Sequence, residues 1–445
     1  MRTPRHWDKA FIFSVLAITL IAALAGWWSG SGQLAFKGST YGICRSLANL
    51  FAFLAACGIL LQLILIARVP WLDRTFGMDK LARLHHVLGF AIPAAIVAHP
   101  LLLVAGEAAV SGGTWFGRFQ AFVSGYEDVP KAVASAVLFL ALVAMSLVIV
   151  LGRLKYETWY YAHLVMYLAT LLFIGHQFES GDDMYGWYAA FWSVLYAVTF
   201  GFLVVFRFAM PIYRFWRHGF TVDSVVSEGG GCWSVYLKGR DLSRLPVRAG
   251  QFFIVRFLDK RRWWQAHPFS LSCAPNAAHL RFTFKELGDF TKELSGLKPG
   301  TKVLLDGPHG AFTERAARSD KFVLIAGGIG ITPIRALAES LAKQGKKVVM
   351  LFGTKTCTDM TFKGELDKLA AACPNLAVHC VVSRDETWTG ERGFIDAEKI
   401  QRLAPDFKTS DFYVCGPKPM TDAVIKALVS IGADKTRIHY ERFSL

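Results

Sequence analysis

LARLHHVLGFAIPAAIVAHPLLL, residues Leu81 to Leu103, is apolar enough to lie in a membrane, yet it holds His85 and His86 near one end and His99 near the other. Ionisable groups inside a span are costly, so histidines there point to function. A second apolar stretch, Trp159 to Gln177, repeats the arrangement with His163 and His176. Four histidines at two depths suggest two stacked metal or haem sites between two helices. One isolated histidine would be read as a core residue bonded to a backbone carbonyl. Matched pairs on two spans favour ligation instead.

Spacing sharpens the assignment. The step from 85 to 99 is close to four helical turns and leaves His85 and His99 on one face within about 40°. The step from 86 to 99 turns His86 about 140° away, so His85 is preferred. In the partner span only the step from 163 to 176 is available, and ideal geometry splays those rings. A tilt or local irregularity must absorb that splay. At about 1.5 Å rise per residue the two levels lie roughly 20 Å apart, within a hydrocarbon core about 30 Å thick. Imidazole on both sides of an iron leaves no open position, which suits electron transfer. Opposed pairs without third and fourth ligands argue against zinc.

Six stretches are long enough to span: 10–29, 46–67, 82–104, 132–151, 158–177 and 187–209. Connecting segments with Arg2, Arg5 and Lys9, with Arg68, Arg74, Lys80 and Arg83, with Arg153 and Lys155, and with Arg207, Arg214 and Arg217 alternate with poorly basic ones. The positive-inside rule then places both termini in the cytoplasm and makes the third and fifth spans parallel. The first span reads as a retained helix rather than a cleaved signal peptide. Glu179, Asp182 and Asp183 read as a solvated acidic loop rather than a cation site.

Bulk properties agree. The chain has 445 residues, 53% hydrophobic, and its apolar excess sits before about residue 210. The formal charge of +15 comes with Arg and Lys that flank spans. No dense basic run interleaved with aromatics suggests nucleic acid. Eight scattered Cys form no CxxC pair, so free thiols are expected and a zinc or redox motif is not.

After Arg217 the texture changes. TVDSVVSE, CWSVYLKG, QFFIVRFLD, HLRFTFKEL and TKVLLDGP are short alternating runs separated by turns, read as a small antiparallel barrel. From Lys321, KFVLIAGG, KVVMLFGT, LAVHCVVS and DFYVCGP are buried-type strands with helical stretches between, read as a doubly wound α/β domain. The expected fold class is multi-domain, in three parts. Residues 1–217 form an all-α six-helix transmembrane bundle, 218–318 an antiparallel β-barrel, and 319–445 an α/β nucleotide domain.

FVLIAGGIGITPIRALAESL reads as strand, glycine turn and helix. Gly327, Gly328 and Gly330 let backbone amides approach an anion. Thr332 is expected to cap the helix, with Pro333 at its first position, and the helix start favours a pyrophosphate. The bland alternative is a tight strand–helix turn. In YVCGPKPM, Cys415, Gly416 and Pro417 lie beyond a buried strand, where ligands of open α/β sheets bind; for Cys415 a small buried hydrophobe is an equal reading. In VVSRDETW, Ser383 and Arg384 follow a strand, and a guanidinium suits a phosphate. HPFSLSCAP and LGDFT carry an aromatic with hydroxyls and a turn after a strand, and their chemistry is not readable from physics alone.

Together these segments resemble the NADPH oxidase and ferric reductase superfamily, of bacterial type, from about residue 46 to the end. The polar half is similar to ferredoxin-NADP reductases. The resemblance implies that His267, Pro268, Phe269, Ser270 and Ser272 line FAD, with Gly288, Phe290 and Thr291 as a second FAD segment. It implies that GGIGITP and CGPKPM bind the nicotinamide nucleotide, and that Ser383 and Arg384 meet the 2′-phosphate of NADPH, with NADH also usable. HYERF implies Phe443 over the isoalloxazine, although Ser444 and Leu445 follow it. LHHVLG resembles the first haem-ligand motif, again favouring His85.

The expected protein is an integral enzyme of the bacterial inner membrane. NAD(P)H reduces FAD in the cytosol, with Phe443 and Cys415 at the reacting centre. Electrons pass to one haem b at His85 and His163, then to a second at His99 and His176. An acceptor at the outer face, oxygen or a ferric chelate, is reduced. Without a visible regulatory segment, constitutive activity is expected. An electron-transfer module feeding quinone or a protein partner is the alternative, and a transporter with a nucleotide-sensing domain is the alternative of another class.

Overall fold

The computed structural model describes residues 6–150, 152, 156–179, 181 and 183–442. They form two compact units, residues 6–69 with 79–208, and residues 70–78 with 209–442.

Among the described residues, six helices are long and apolar enough to cross a membrane: Asp8–Ser29, Thr40–Ile66, Met78–Ser111, Val129–Ile149, Tyr156–Glu179 and Gly186–His218. All six stretches expected from the sequence are present, with shifted ends. The third is longest because its polar start, Met78 to Lys80, and its tail, Glu107 to Ser111, continue the helix. An eleven-residue helix, Trp115–Gly125, follows it and was not expected. Its N-cap Thr114 accepts the Gly117 N–H through its side chain, a local signal at the edge of an otherwise apolar pattern.

The second span is the hub of the first unit. One face packs Phe53, Leu60 and Leu63 against Ala23, Tyr188 and the fully buried Trp192. The other packs Ile59 against Ile92, Phe139 and Ala169. Contact with the third span is close, since a β-carbon on Gly58 would lie 2.8 Å from Ile92 Cγ1; small residues allow such approach between membrane helices. Phe11, Ile18, Val87, Phe90, Leu168 and Val194 stay exposed on outward faces, as lipid contact requires.

The second unit holds twelve strands among the described residues. β1 (Thr221–Gly229), β2 (Cys232–Lys238) and β5 (Leu280–Lys285) form one antiparallel sheet. β4 (His267–Ser270), β3 (Phe252–Phe257) and β6 (Val303–His309) form another. The single barrel expected here is therefore two three-stranded sheets. Isolated bridges link the strands at Thr221–Lys302 and Leu271–Phe282. Pro268 explains part of the interruption, because it cannot donate to a ladder and leaves β4 as an edge. Phe220, Leu237, Phe253, Val255, Phe257, Phe282 and Leu305 fill the space between the sheets.

The remaining strands are β7 (Lys321–Gly327), β8 (Lys347–Thr354), β9 (Leu376–Val382), β10 (Glu391–Arg392), β11 (Asp411–Gly416) and β12 (Ile438–Arg442). They form one parallel sheet in the order β10-β9-β8-β7-β11-β12. The doubly wound reading holds, and the four strands expected from sequence are its centre. Strand order reverses between β7 and β11, which is where such sheets bind ligands.

Candidate functional site

The histidines of the first unit come together in two pairs. The His85 and His163 rings lie 6.3 Å apart between centres, and the His99 and His176 rings also lie 6.3 Å apart. A metal ion with an imidazole nitrogen about 2 Å away on each side would set its two rings about 6 Å apart. Among the described residues no cluster of three or more His, Cys, Asp or Glu is present. Two opposed imidazoles suit an ion whose other positions come from a planar macrocycle. His86 is exposed on the outward face and packs against Phe90, with ring centres 5.2 Å apart.

The second span sets the level of the third at both ends. The Gln62 side chain donates to the His85 carbonyl at 2.9 Å, and the His99 ring Nδ1 donates to the Ala48 carbonyl at 3.0 Å. The two spacings are equal, 62 − 48 = 14 and 99 − 85 = 14, so antiparallel helices meet in register. Pro93 and Pro100 lie inside the third span, and each removes a helical donor near His99.

The fifth span is broken into Tyr156–His163 and Met166–Glu179, with a turn at Leu164–Val165 directly after His163. Leu164 N–H reaches the Tyr161 carbonyl and Val165 N–H the Ala162 carbonyl, so the chain is overwound there. This irregularity lets residues 163 and 176, which an ideal helix would splay, both face the third span. Trp159 stacks on His163 with ring centres 5.1 Å apart, and its Nε1–H donates to Ser146 Oγ at 2.9 Å. Among the described residues the Nδ1 atoms of His85 and His163 are buried without a hydrogen-bond partner, whereas His176 Nδ1 meets Asp128 Oδ2 at 2.7 Å. Asp183 is not part of a solvated loop. It is buried and accepts the Ser31 N–H at 2.9 Å and the Ser31 hydroxyl at 2.6 Å. Asp182 lies outside the described residues.

In the second unit the glycine turn and the strand β11 edge converge. Cys415 pairs with Ala326 in the β11–β7 ladder. A β-carbon on Gly330 would lie 2.3 Å from the Cys415 carbonyl oxygen, and one on Gly327 would lie 2.1 Å from Met420 Sδ. Gly328 has φ +52° with open space above it. Gly327 and Gly330 are thus where the turn packs directly on β11 and the segment after it, and Gly328 is the glycine of the three that faces open space. The helix begins at Ile331, earlier than expected, because Gly328–Gly330 is already a 3₁₀ turn. Thr332 therefore lies inside the helix, donates to the Ile329 carbonyl at 3.1 Å, and is not the cap; Pro333 is not its first residue. The Cys415 thiol is fully buried in the apolar core, and burial pushes its pKa well up. Gly416 ends β11 and Pro417 precedes the helix Lys418–Ser430, with the Thr421 hydroxyl donating to the Gly416 carbonyl.

Ser383 and Arg384 follow β9. Ser383 Oγ reaches the Thr354 carbonyl at 3.2 Å, and Arg384 N–H donates to the Lys355 carbonyl at 2.8 Å. Both Arg384 and Lys355 are exposed at the carboxyl ends of β9 and β8. Lys355 is thus a second cation at this edge, missed in the sequence because it follows a different strand, β8, far from Arg384 along the chain.

Around β4, His267 stacks on Phe290 with ring centres 3.9 Å apart, and Phe269 stacks on the same ring at 6.4 Å. Pro268 is exposed and Ser270 Oγ is buried without a hydrogen-bond partner. Ser272 is differently used. Its carbonyl accepts from Arg281 at 2.6 Å and from Arg335 at 3.0 Å, and its hydroxyl meets Thr283 at 2.7 Å. Glu365 joins both guanidinia, at 2.7 Å to Arg281 and 2.9 Å to Arg335. The Leu287 and Gly288 N–H groups both donate to Thr291 Oγ1, at 3.1 Å each. Phe443 lies outside the described residues.

Three family models match the chain in order. Residues 51–174 match a ferric reductase like transmembrane component, 233–313 an FAD-binding domain, and 324–426 an oxidoreductase NAD-binding domain. A flavohemoprotein of Rhodopirellula baltica is 32% identical over 246 residues, covering 50% of this chain and 60% of the relative. A glycine betaine monooxygenase reductase subunit of Pseudomonas aeruginosa is 32% identical over 152 residues, 33% of this chain and 42% of the relative. NADH-cytochrome b5 reductase 1 of Pyricularia oryzae is 34% identical over 179 residues, 38% of this chain and 57% of the relative. The chain thus spans roughly half the length of these relatives. Among solved structures, the flavohem-like FAD/NAD-binding domain of nitric oxide dioxygenase from Vibrio cholerae is 28% identical, covering 50% of this chain and 97% of that one, with a TM-score of 0.44. Flavohemoglobin from Malassezia yamatoensis is 19% identical, covering 91% and 98%, with a TM-score of 0.48.

Proposed function

Because the chain carries the domain order of the NADPH oxidase and ferric reductase superfamily, a transmembrane component followed by FAD- and NAD-binding domains, we propose that it is a transmembrane NAD(P)H-dependent oxidoreductase. It moves electrons from the cytosol to an acceptor at the outer face, oxygen or a ferric chelate. It resides in the bacterial inner membrane with both termini cytoplasmic. The observation that carries this reading is the pair of histidine pairs, each with ring centres 6.3 Å apart.

The residues divide the work. Gly327 and Gly330 seat the glycine turn against Gly416, Pro417 and the end of β11, and the open face at Gly328 is where the dinucleotide would lie. Arg384, with Ser383 and Lys355, is the cationic edge that receives a 2′-phosphate. His267, Phe269 and Phe290 make an aromatic wall, and the unpartnered Ser270 hydroxyl is available to the flavin. Gly288 and Thr291 hold the turn beside that wall, the Gly288 N–H donating to Thr291 Oγ1. Cys415 supports the glycine turn through its backbone. His85 with His163, and His99 with His176, would hold the two b-type haems. When bound, FAD supplies hydride acceptance and single-electron release, and the haems supply electron passage across the bilayer.

The test uses the purified full chain loaded with FAD and haem. NADPH is added without oxygen, and then oxygen, a ferric chelate and a quinone are supplied in turn. NADPH is expected to reduce the haem bands, and oxygen or ferric chelate to restore them. Haem that stays oxidised under NADPH contradicts the reading. Reoxidation by quinone alone replaces the acceptor with the alternative.

A further inference from the structure

The four ring histidines differ in what holds their far nitrogen. His99 Nδ1 donates to a neutral carbonyl, that of Ala48. Among the described residues the Nδ1 atoms of His85 and His163 are buried and unpartnered. His176 alone of the four has its Nδ1 against a carboxylate, Asp128, at 2.7 Å. Asp128 is only 3% exposed. A charge at that depth is costly unless it is paired or hydrogen-bonded. Where the carboxylate accepts in this contact, the hydrogen stands on His176 Nδ1 and the Nε2 lone pair is left for a ligand.

Resting on the bis-haem reading above, we propose that Asp128 is the positioning residue of the His99–His176 haem. It fixes the ring and tautomer of His176 and, by pulling on the Nδ1 hydrogen, makes His176 a more strongly donating ligand. Such a ligand favours the ferric state and lowers that haem's potential relative to the same site without the charge. The haem at this level is thereby made the stronger reductant, which is the property needed where electrons leave the chain.

Asp128 also has a plain structural use. It immediately precedes the helix Val129–Val150, and its carbonyl accepts the Ala132 N–H at 3.1 Å. Asn serves as well as Asp at a helix start and can still accept from His176 through its amide oxygen. Asp128→Asn therefore removes the charge and keeps the scaffold.

The experiment is a spectroelectrochemical titration of the full-length, haem-loaded protein, with His99→Ala identifying the wave of this site. Asp128→Asn is expected to keep two haems and raise this wave alone by at least tenfold in the reduced-to-oxidised ratio, about 59 mV for a one-electron couple. Asp128→Glu is expected to return it towards wild type. Loss of this haem in Asp128→Asn with retention in Asp128→Glu also supports the assignment. Two bound haems with both waves unmoved in Asp128→Asn, an equal shift of both waves, or loss of haem in both variants overturns it. A wild-type protein with no haem b spectrum overturns the underlying reading as well, and so marks a different failure.

Discussion

Gly330 and Cys415 meet backbone to backbone: a β-carbon at 330 would sit 2.3 Å from the Cys415 carbonyl oxygen. That oxygen belongs to β11, which is hydrogen-bonded to β7 on one side and β12 on the other. Gly330→Ala should therefore push the glycine turn away from β11. Overpacking of this kind costs about 1–3 kcal/mol. The expected outcome is a KM for NADPH raised about tenfold or more, with flavin content retained, read by steady-state kinetics. Wild-type KM in this variant would show that the close approach does not shape the nucleotide site.

Arg281 is almost fully buried, and its guanidinium lies over the Phe362 ring, 4.6 Å from the centroid, while it pairs with Glu365 and the Ser272 carbonyl. Removing one member of a buried pair leaves the other uncompensated, at about 3–5 kcal/mol. Because Glu365 is partly exposed and also meets Arg335, Arg281→Ala should fall at the lower end, about 3 kcal/mol. Flavin-release melting of the full chain is expected to shift down by several degrees. An unchanged melt would mean that the network is a spectator.

Glu339 gives a pH signature. Burial alone would raise its pKa, but the Lys343 ammonium, the Ala274 N–H and the Arg335 guanidinium outweigh it and hold the group at about 2. Its ordinary value is 4.5. A depressed folded-state pKa contributes stability that is full above the unfolded value and is lost as pH falls through the folded one. The window is therefore between pH 4.5 and about 2, and the full contribution is about 3 kcal/mol at one pKa unit per 1.36 kcal/mol. Glu339→Gln should be less stable than wild type at pH 7, and the gap should narrow on acidification through that window. A gap independent of pH would contradict the ion-pair account.

Arg384 and Lys355 share an exposed edge where β9 and β8 end. A charge-assisted contact to phosphate contributes about 1.5–3 kcal/mol. The double variant Arg384→Ala with Lys355→Ala should raise the KM for NADPH by about tenfold or more and leave that for NADH nearly unchanged. Equal effects on both nucleotides would place the 2′-phosphate elsewhere.

Much of the fold is carried by local pattern. Six apolar runs and four buried strands are visible because each must satisfy its own solvent, lipid or core, residue by residue. What escapes is set by distant partners. Strand β12 escapes because IHYER is short and mixed in polarity and gains its place by pairing with β11. The barrel reading failed because closure depends on ladder bonds between strands, which Pro268 and long turns interrupt. Thr332 and Pro333 have the composition of a helix start, but Gly328–Gly330 had already begun the turn. At the histidines, the 14-residue step was legible and the overwound turn after His163 was legible only as a need. Asp128 was not legible at all, because it lies 48 residues from His176 and meets it only in the folded chain.

The central claim is that His85, His163, His99 and His176 hold two haems. The most direct test is the reduced-minus-oxidised absorption spectrum of the purified full chain, with haem quantified per chain, for wild type and for His99→Ala and His85→Ala. The account predicts a haem b spectrum with two haems in wild type and one in each variant. A wild-type preparation without haem b, or variants whose haem content equals wild type, would contradict it.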